Sequence, residues 1–541
     1  MNLQALDWSI IAVYVVVIVT IGLYAARKPK TSEGYFLANR QLKWPFIGAS
    51  LFAANISAEH FVGLAGGGFA IGLAMGGFEW MAIFCLLPLI LLFLPFYLKN
   101  KVYTVPEFLE RRYSPGIRRL FSALMLVLSV LTKVSISLWA SSIVFSAVLG
   151  WDKLTVIWVI GLLTALYTMK GGLRAVVYTD AIQTVVLLVA AVILTALGLH
   201  HVGGWAGLHA RLSPDWFHMI KPATHPDVPW PGMFIGIFLA GSFYWSMDQV
   251  LVQRVLAAKN LNEGRKGAVL AAALKILTPF LLILPGLIAK ALYPDIAKAD
   301  DAYPTLLKNL MPTGLLGLTV AGIAAALMGH LSATYNSIAT LFTRDFYIHW
   351  RPDAGQKQQI TVGRIAVLVV FLLGALWAPV IASFESLFLY LQLVGVYLVM
   401  PFVGVFFIGV VWKRINGTGV WISVLAGLIV GPILMFDTKL HFLPFMRHPL
   451  LRPWLHGAII EFLACAVLLI GASLVSARPG EEKVATTTIQ FGALKQPIPE
   501  AERHRSLIHD YRLWLGLVVT TTMVLWYILR YERRRRFPPA A

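Results

Sequence analysis

Residues 46–73, FIGASLFAANISAEHFVGLAGGGFAIGL, decide how the chain is read. The stretch is apolar and long enough to cross a bilayer, which takes about 20 helical residues. Yet Asn55, Ser57, Glu59 and His60 stand near its middle. Hydrocarbon cannot satisfy such groups, so a span that carries them turns them toward protein or water. Gly63, Gly66, Gly67 and Gly68 follow at once, each costing about 1 kcal/mol in a helix and freeing backbone to unwind. A span that is polar and breakable at mid-depth predicts half of a transport site.

The whole chain agrees with a membrane setting. Its 541 residues are 58% hydrophobic and 13% charged, with a mean hydropathy of +0.74, whereas soluble domains carry about 25% charged residues. Forty-five Lys and Arg against 26 Asp and Glu give a net charge of +19, which invites a nucleic-acid reading. The positions argue against it. Arg27, Lys28 and Lys30, Lys99 and Lys101, and Arg111, Arg112, Arg118 and Arg119 sit in short loops, as cytoplasmic loops of membrane proteins do. The implied partner is a lipid bilayer, with no nucleic acid. Cys85 and Cys465, the two cysteines, both lie inside apolar runs, so neither a disulfide framework nor a zinc site is indicated. The first apolar run follows Asp7 rather than a basic region and has no small-residue cleavage site; it reads as a retained helix.

Apolar runs of spanning length fall near 8–26, 46–72, 78–98, 120–149, 154–169, 175–199, 231–253, 267–292, 313–343, 362–381, 385–411, 418–436, 456–476 and 513–530. The expected fold is therefore all-α and polytopic, with about fourteen transmembrane helices. Alternating sides places the basic loops 27–43, 99–119, 254–266, 344–364 and 413–414 in the cytoplasm and the N-terminus outside. The tail Arg533 to Arg536 is the exception, since an even count puts it outside. The expected location is the cell (inner) membrane.

A second unusual span, PGMFIGIFLAGSFYWSMDQVLVQR (231–254), also mixes Pro, Gly and polar residues, and four ordinary runs separate it from the first. Interrupted spans in corresponding positions, each opening a block of five, point to an inverted repeat with the site between the halves. The chain then divides into an N-terminal span and loop (1–45), a first repeat (46–199), an external loop (200–230), a second repeat (231–411), accessory spans (412–476), a cytoplasmic linker (477–512) and a last span with its basic tail (513–541).

Several motifs add a resemblance. NISAEHFVGLAGGGFAIGLAMGGFEW, YTVPEFLERRY, GGLRAVVYTDAIQT, FYWSMDQVLVQRVLAAKN and TLFTRDFY resemble the sodium/solute symporter family, in its sodium/glucose cotransporter branch, over about residues 5–435. The resemblance implies a ten-helix, LeuT-type 5+5 inverted-repeat core that moves a sugar or polyol by alternating access. It implies substrate contacts at Asn55, His60, Glu79, Tyr244, Trp245, Lys275 and Gln392. The chemistry fits independently: carboxylate and amide oxygens accept from sugar hydroxyls, Lys, Asn and His nitrogens donate to them, and an aromatic plane covers the C–H face. Each residue also has a structural reading. Asn55 and Ser57 serve equally well as interhelical glue, Glu79 and Lys275 as a buried ion pair, and Tyr244 and Trp245 as packing or interface anchors. Asp248 is expected to pair with Arg254 or with a neighbouring helix.

The same resemblance implies that a sodium ion is held by the carbonyls of Ala53 and Ile56 together with hydroxyls of the ninth span, in a pattern near Ser-x-x-Ser-Ser. Here the corresponding residues are Ala326, Gly329 and His330. A hard cation loses hydroxyl ligands by that exchange, and His330, an imidazole, is a candidate proton carrier. Asp180 has two readings, a helix cap and, by the resemblance, a ligand of a second ion. No cofactor beyond Na+ as coupling ion is implied. One cation moving down 100 mV yields roughly 2.3 kcal/mol, and a tenfold gradient adds about 1.4. The functional expectation is a sodium-driven symporter of a monosaccharide or polyol. A proton-coupled or uncoupled facilitator and a membrane sugar sensor stand as alternatives. An enzyme is not expected, since His200 and His201 have no carboxylates spaced for a metal.

Overall fold

The computed structural model describes residues 3–25, 31–384, 387–489 and 510–530. Arg27, Lys28 and Lys30, most of the expected linker 477–512 and the tail Arg533–Arg536 lie outside the described residues. Among the described residues the architecture is all-helical, with ten helices long and apolar enough to span a membrane alone and two more spans formed by bent pairs.

The first helix, α1 (Ala5–Ala25), is followed by the organising stretch, which is broken into α2 (Trp44–Asn55) and α3 (His60–Ile71). Then come α4 (Leu73–Lys99), α5 (Pro115–Leu149) and α6 (Lys153–Val202). Two expected runs merge in α6, which turns at Gly172 (φ 59°) without a loop. A Cβ at that position would stand 2.7 Å from the Tyr35 carbonyl oxygen, so both the backbone angle and the space call for glycine.

The second block opens with α7 (Gly232–Met247) and α8 (Gln249–Leu256), bent by 47°. The two organising breaks match in conformation. Ile56 (φ −85°, ψ 121°) ends α2 and Asp248 (φ −72°, ψ 122°) ends α7, each an extended residue where a helix would continue. Next, α9 (Leu261–Lys275) and α10 (Pro279–Leu292) form an unanticipated third bent span, at 40°. There the Ile276 carbonyl accepts from Trp80 Nε1 at 3.2 Å, a side-chain partner for an oxygen at the bend. The block closes with α11 (Leu315–Trp350), α12 (Gln356–Ser383) and α13 (Leu387–Val411). The accessory helices α14 (Gly417–Leu440) and α15 (Trp454–Val475) follow, and α16 (Tyr511–Leu529) ends the described chain.

The glycines after His60 do something other than unwind. The break falls at 56–57, ahead of them, and residues 58–71 run on as helix. Gly68 and Gly286 instead let α3 and α10 cross at backbone contact: a Cβ on Gly68 would lie 2.3 Å from the Ile283 carbonyl oxygen, and one on Gly286 would lie 2.0 Å from that of Ala65. Small residues at helix crossings are the usual device for close approach inside a bilayer.

Candidate functional site: a polar cavity between the broken spans

The two breaks open onto one cavity of about 200 Å³. Asn55, His60, Glu79, Tyr244, Trp245, Lys275 and Gln392, the seven residues expected to touch substrate, all line it. They arrive from six different helices, so only the tertiary fold brings them together. His60 opens a widened helical turn (His60–Leu64), and such π-type turns recur at functional sites.

One pole of the cavity is an ion pair. Lys275 Nζ, on the last residue of α9, donates to Glu79 Oε2 of α4 at 2.6 Å, and His60 Nε2 lies 4.0 Å from Glu79 Oε1. The Lys275 ammonium also stands 5.8 Å from the centre of the Trp245 ring, close enough for a cation–π attraction. The Tyr244 and Trp245 rings meet edge to face at 5.6 Å, and Asn55 Nδ2 donates to the Tyr244 hydroxyl at 3.2 Å. Asn55 Oδ1 is buried with no hydrogen-bond partner. Phe78 and Phe388, which also line the space, pack edge to face at 4.9 Å and give it an apolar wall.

Two further carboxyl groups and one further ammonium line the cavity: Glu59, Asp248 and Lys133. Lys133 of α5 pairs with Asp248 at the second break, and Asp248 also caps α8 by accepting from Val250 N at 2.9 Å. The expected alternatives for Asp248 thus resolve to a neighbouring helix rather than Arg254. A signal for Lys133 was present, since it is the lone charged residue in the apolar run 120–149 and intramembrane charges are functional by default.

The residues expected to hold sodium are adjacent in space but poor in oxygen. Ala53, Ile56, Ala326 and Gly329 are buried, as is His330. The ideal Cβ position of Gly329 is 3.5 Å from Ala53 Cβ and 3.0 Å from Gln183 Oε1, so α2, α6 and α11 meet there. From α11, however, the donor set is a methyl, a hydrogen and an imidazole. His330 Nδ1 lies 2.6 Å from the Ala54 carbonyl oxygen; since a carbonyl only accepts, Nδ1 carries the proton and donates. His330 Nε2 is buried without a partner and the ring borders the cavity. Ser332, the nearest hydroxyl on α11, is turned back onto the Gly329 carbonyl at 3.1 Å. Hard cations want several oxygens; Ala326, Gly329 and His330 supply none from their side chains, and the side-chain oxygens nearest Gly329 are Gln183 Oε1 and Asp180 Oδ1 of α6, both without a partner.

Asp180 is not a helix cap: it sits eight residues beyond the Gly172 turn, inside α6. Its carboxylate accepts from Ser50 Oγ and lies 3.9 Å from the Arg254 guanidinium, while Arg254 Nε also donates to Ser50 at 3.1 Å. Its charge is answered within the protein, although Oδ1 has no hydrogen-bond partner.

Comparison with known proteins agrees with this architecture. The chain is 38% identical over 544 residues to the sodium/mannose cotransporter SLC5A10 of Bos taurus, covering 92% of this chain and 91% of that one. It is 36% identical over 528 residues to sodium/glucose cotransporter 4 of Danio rerio, covering 89% and 80%, and 36% identical over 536 residues to sodium/myo-inositol cotransporter 2 of Homo sapiens, covering 90% and 79%. A solved substrate-bound, outward-open Na+-coupled sialic acid symporter shares the fold, with a TM-score of 0.76 at 22% identity over 88% of this chain and 99% of that chain. The model of the sodium:solute symporter family matches residues 35–431, and the chain belongs to that family.

Proposed function

We propose that this protein is a sodium-coupled symporter of a neutral monosaccharide or cyclic polyol, working by alternating access in a cell membrane with its N-terminus outside. The observation that carries the reading is the cavity at the meeting of the two breaks. Its polar groups come in both hydrogen-bonding senses, from Glu79, Asn55, His60, Lys275 and Gln392, and aromatic rings border it. A pyranose or inositol ring presents the complementary surface, hydroxyls at the edge and C–H groups on the faces. Relatives named for glucose, mannose and myo-inositol support the substrate class, and all three names carry sodium.

The chain's own residues account for binding and for the two-sided access. Glu79 and Lys275 hold each other in place, so a sugar hydroxyl meets an acceptor and a donor already oriented. Residues 46–199 and 231–411 form the two halves, and the breaks at Ile56 and Asp248 let the segments on either side of the substrate tilt separately. Inverted-repeat carriers move in this way, around a site fixed near mid-membrane.

The test is uptake of radiolabelled glucose, mannose and myo-inositol into proteoliposomes under an imposed sodium gradient, an imposed pH gradient, or neither. Accumulation above equilibrium with sodium alone supports the reading. Drive by the pH gradient, or equilibration without accumulation, replaces it with the proton-coupled or uncoupled facilitator, which the carbon-rich Ala326–Gly329 face favours. Binding without uptake replaces it with a sensor.

A further inference from the structure

On the α11 side of the pocket it forms with α2, Ala326, Gly329 and His330 supply no side-chain oxygen, and the buried carboxyl group of Glu59, at the break after α2, has no cationic partner. We propose that Glu59, Ser57 and Ser137 form the sodium site of this chain, at the break between α2 and α3 and facing α5. The proposal rests on the sodium-coupled reading above.

Glu59 lines the cavity and is only 4% exposed. Its Oε2 accepts from Ser137 Oγ at 3.0 Å, and Ser137 Oγ stands 3.2 Å from Ser57 Oγ. Ser57 and Ser137 are both fully buried. Three side-chain oxygens therefore lie in a row on two elements. Asn55 Oδ1, at the same break, is buried and accepts nothing. The break itself adds oxygens, because the last carbonyls of a helix have no intrahelical partners; of those ending α2, Ala54 is taken by His330.

Charge makes the stronger case. Both ammonium groups of the cavity are committed elsewhere, Lys275 to Glu79 and Lys133 to Asp248. His60 Nδ1 approaches Glu59 Oε1 to 3.9 Å, but it accepts the Ser57 backbone N–H at 3.4 Å, so that nitrogen bears no proton. Glu59 is left in the membrane interior without a cationic partner, and its ionised form is costly there unless a cation joins it. Small hard cations take carboxylate, hydroxyl and carbonyl oxygens, and those are the atoms gathered here. His60, the next residue, lines the sugar cavity, so ion and sugar would share one short segment. Each would then tighten the other's binding by the same factor.

Sodium activation of hexose uptake by the full chain in proteoliposomes tests the site. Glu59→Gln is expected to raise the half-saturating sodium concentration by about 10- to 100-fold, the loss of one charge-assisted interaction. Hexose KM at saturating sodium stays near the wild-type value. Ser137→Ala shifts sodium dependence in the same direction by a smaller factor, and Ser332→Ala on α11 leaves it unchanged. If Glu59→Gln fails to give a monodisperse protein, Ser137→Ala carries the test, since it removes an oxygen without changing charge. A wild-type sodium response in both Glu59→Gln and Ser137→Ala overturns the site while leaving sodium-coupled transport standing. A wild type driven by a pH gradient and indifferent to sodium overturns both.

Discussion

Lys275 Nζ and Glu79 Oε2 meet at 2.6 Å with both side chains buried, joining the end of α9 to α4 across the cavity. Removing one partner of a buried pair strands a charge, at a cost of about 3–5 kcal/mol, whereas removing both is far milder. Lys275→Ala and Glu79→Gln should therefore each abolish hexose uptake and lower the Tm in detergent. The double variant Lys275→Gln with Glu79→Gln should regain most of the Tm and still fail to transport. A double variant that transports would mean the pair is structural and the sugar is held elsewhere.

Gln392 offers a cleaner probe, because it lines the cavity and no side-chain hydrogen bond to it is seen among the described residues. Its amide is free to meet a sugar hydroxyl. Gln392→Ala should leave Tm and expression unchanged while weakening hexose binding by roughly 1–3 kcal/mol, about 5- to 150-fold in Kd. Isothermal titration of the purified protein checks this, and wild-type affinity would take Gln392 out of the site.

The contrast between residues read early and residues missed has a physical basis. Asn55 and His60 announce themselves because polar groups inside an apolar run are conspicuous, and the breaks at Ile56 and Asp248 follow from the same anomaly. The glycines after His60 were misleading: the sequence shows only that they can unwind, whereas the use of Gly68 is set by Ile283, far away in the chain and beside it only once α3 and α10 cross. The bend between α9 and α10 likewise depends on Trp80 reaching the Ile276 carbonyl, a contact separated by 196 positions. Glu59 stood in the organising stretch from the start, but its lack of a cationic partner is visible only when Lys133 and Lys275 are seen bound to other carboxylates.

The α3–α10 crossing carries its own prediction. At Gly68 and Gly286 an added Cβ would meet carbonyl oxygens at 2.3 and 2.0 Å, and backbone on both sides leaves nothing soft to yield. Gly286→Val should prevent accumulation of folded protein, seen as loss of the monodisperse peak in size-exclusion chromatography. Gly395→Ala, where an ideal Cβ meets nothing within 4 Å, should fold normally, so the comparison separates close approach from glycine content. A well-folded Gly286→Val would show that α3 and α10 are farther apart than the crossing described here.

Asn55 and Tyr244 tie the two broken spans together directly. The 3.2 Å hydrogen bond runs from the residue before the first break to a residue four positions before the second, so it must lengthen if the broken spans separate. Tyr244→Phe keeps the ring as a wall and deletes only this bond, worth about 1 kcal/mol. A shift of that size changes the balance between joined and separated halves by about fivefold. Hexose Kd should weaken by no more than that factor, and the maximal uptake rate should change with it. Tyr244→Ala removes the wall as well and should abolish uptake. Asn55→Ala should cost more than Tyr244→Phe, since it also deletes Oδ1, the buried acceptor left without a partner. Measuring Kd and maximal rate for the three variants separates the roles. Equal losses in Tyr244→Phe and Tyr244→Ala would mean that the hydrogen bond, and not the aromatic face, is what the site requires of Tyr244.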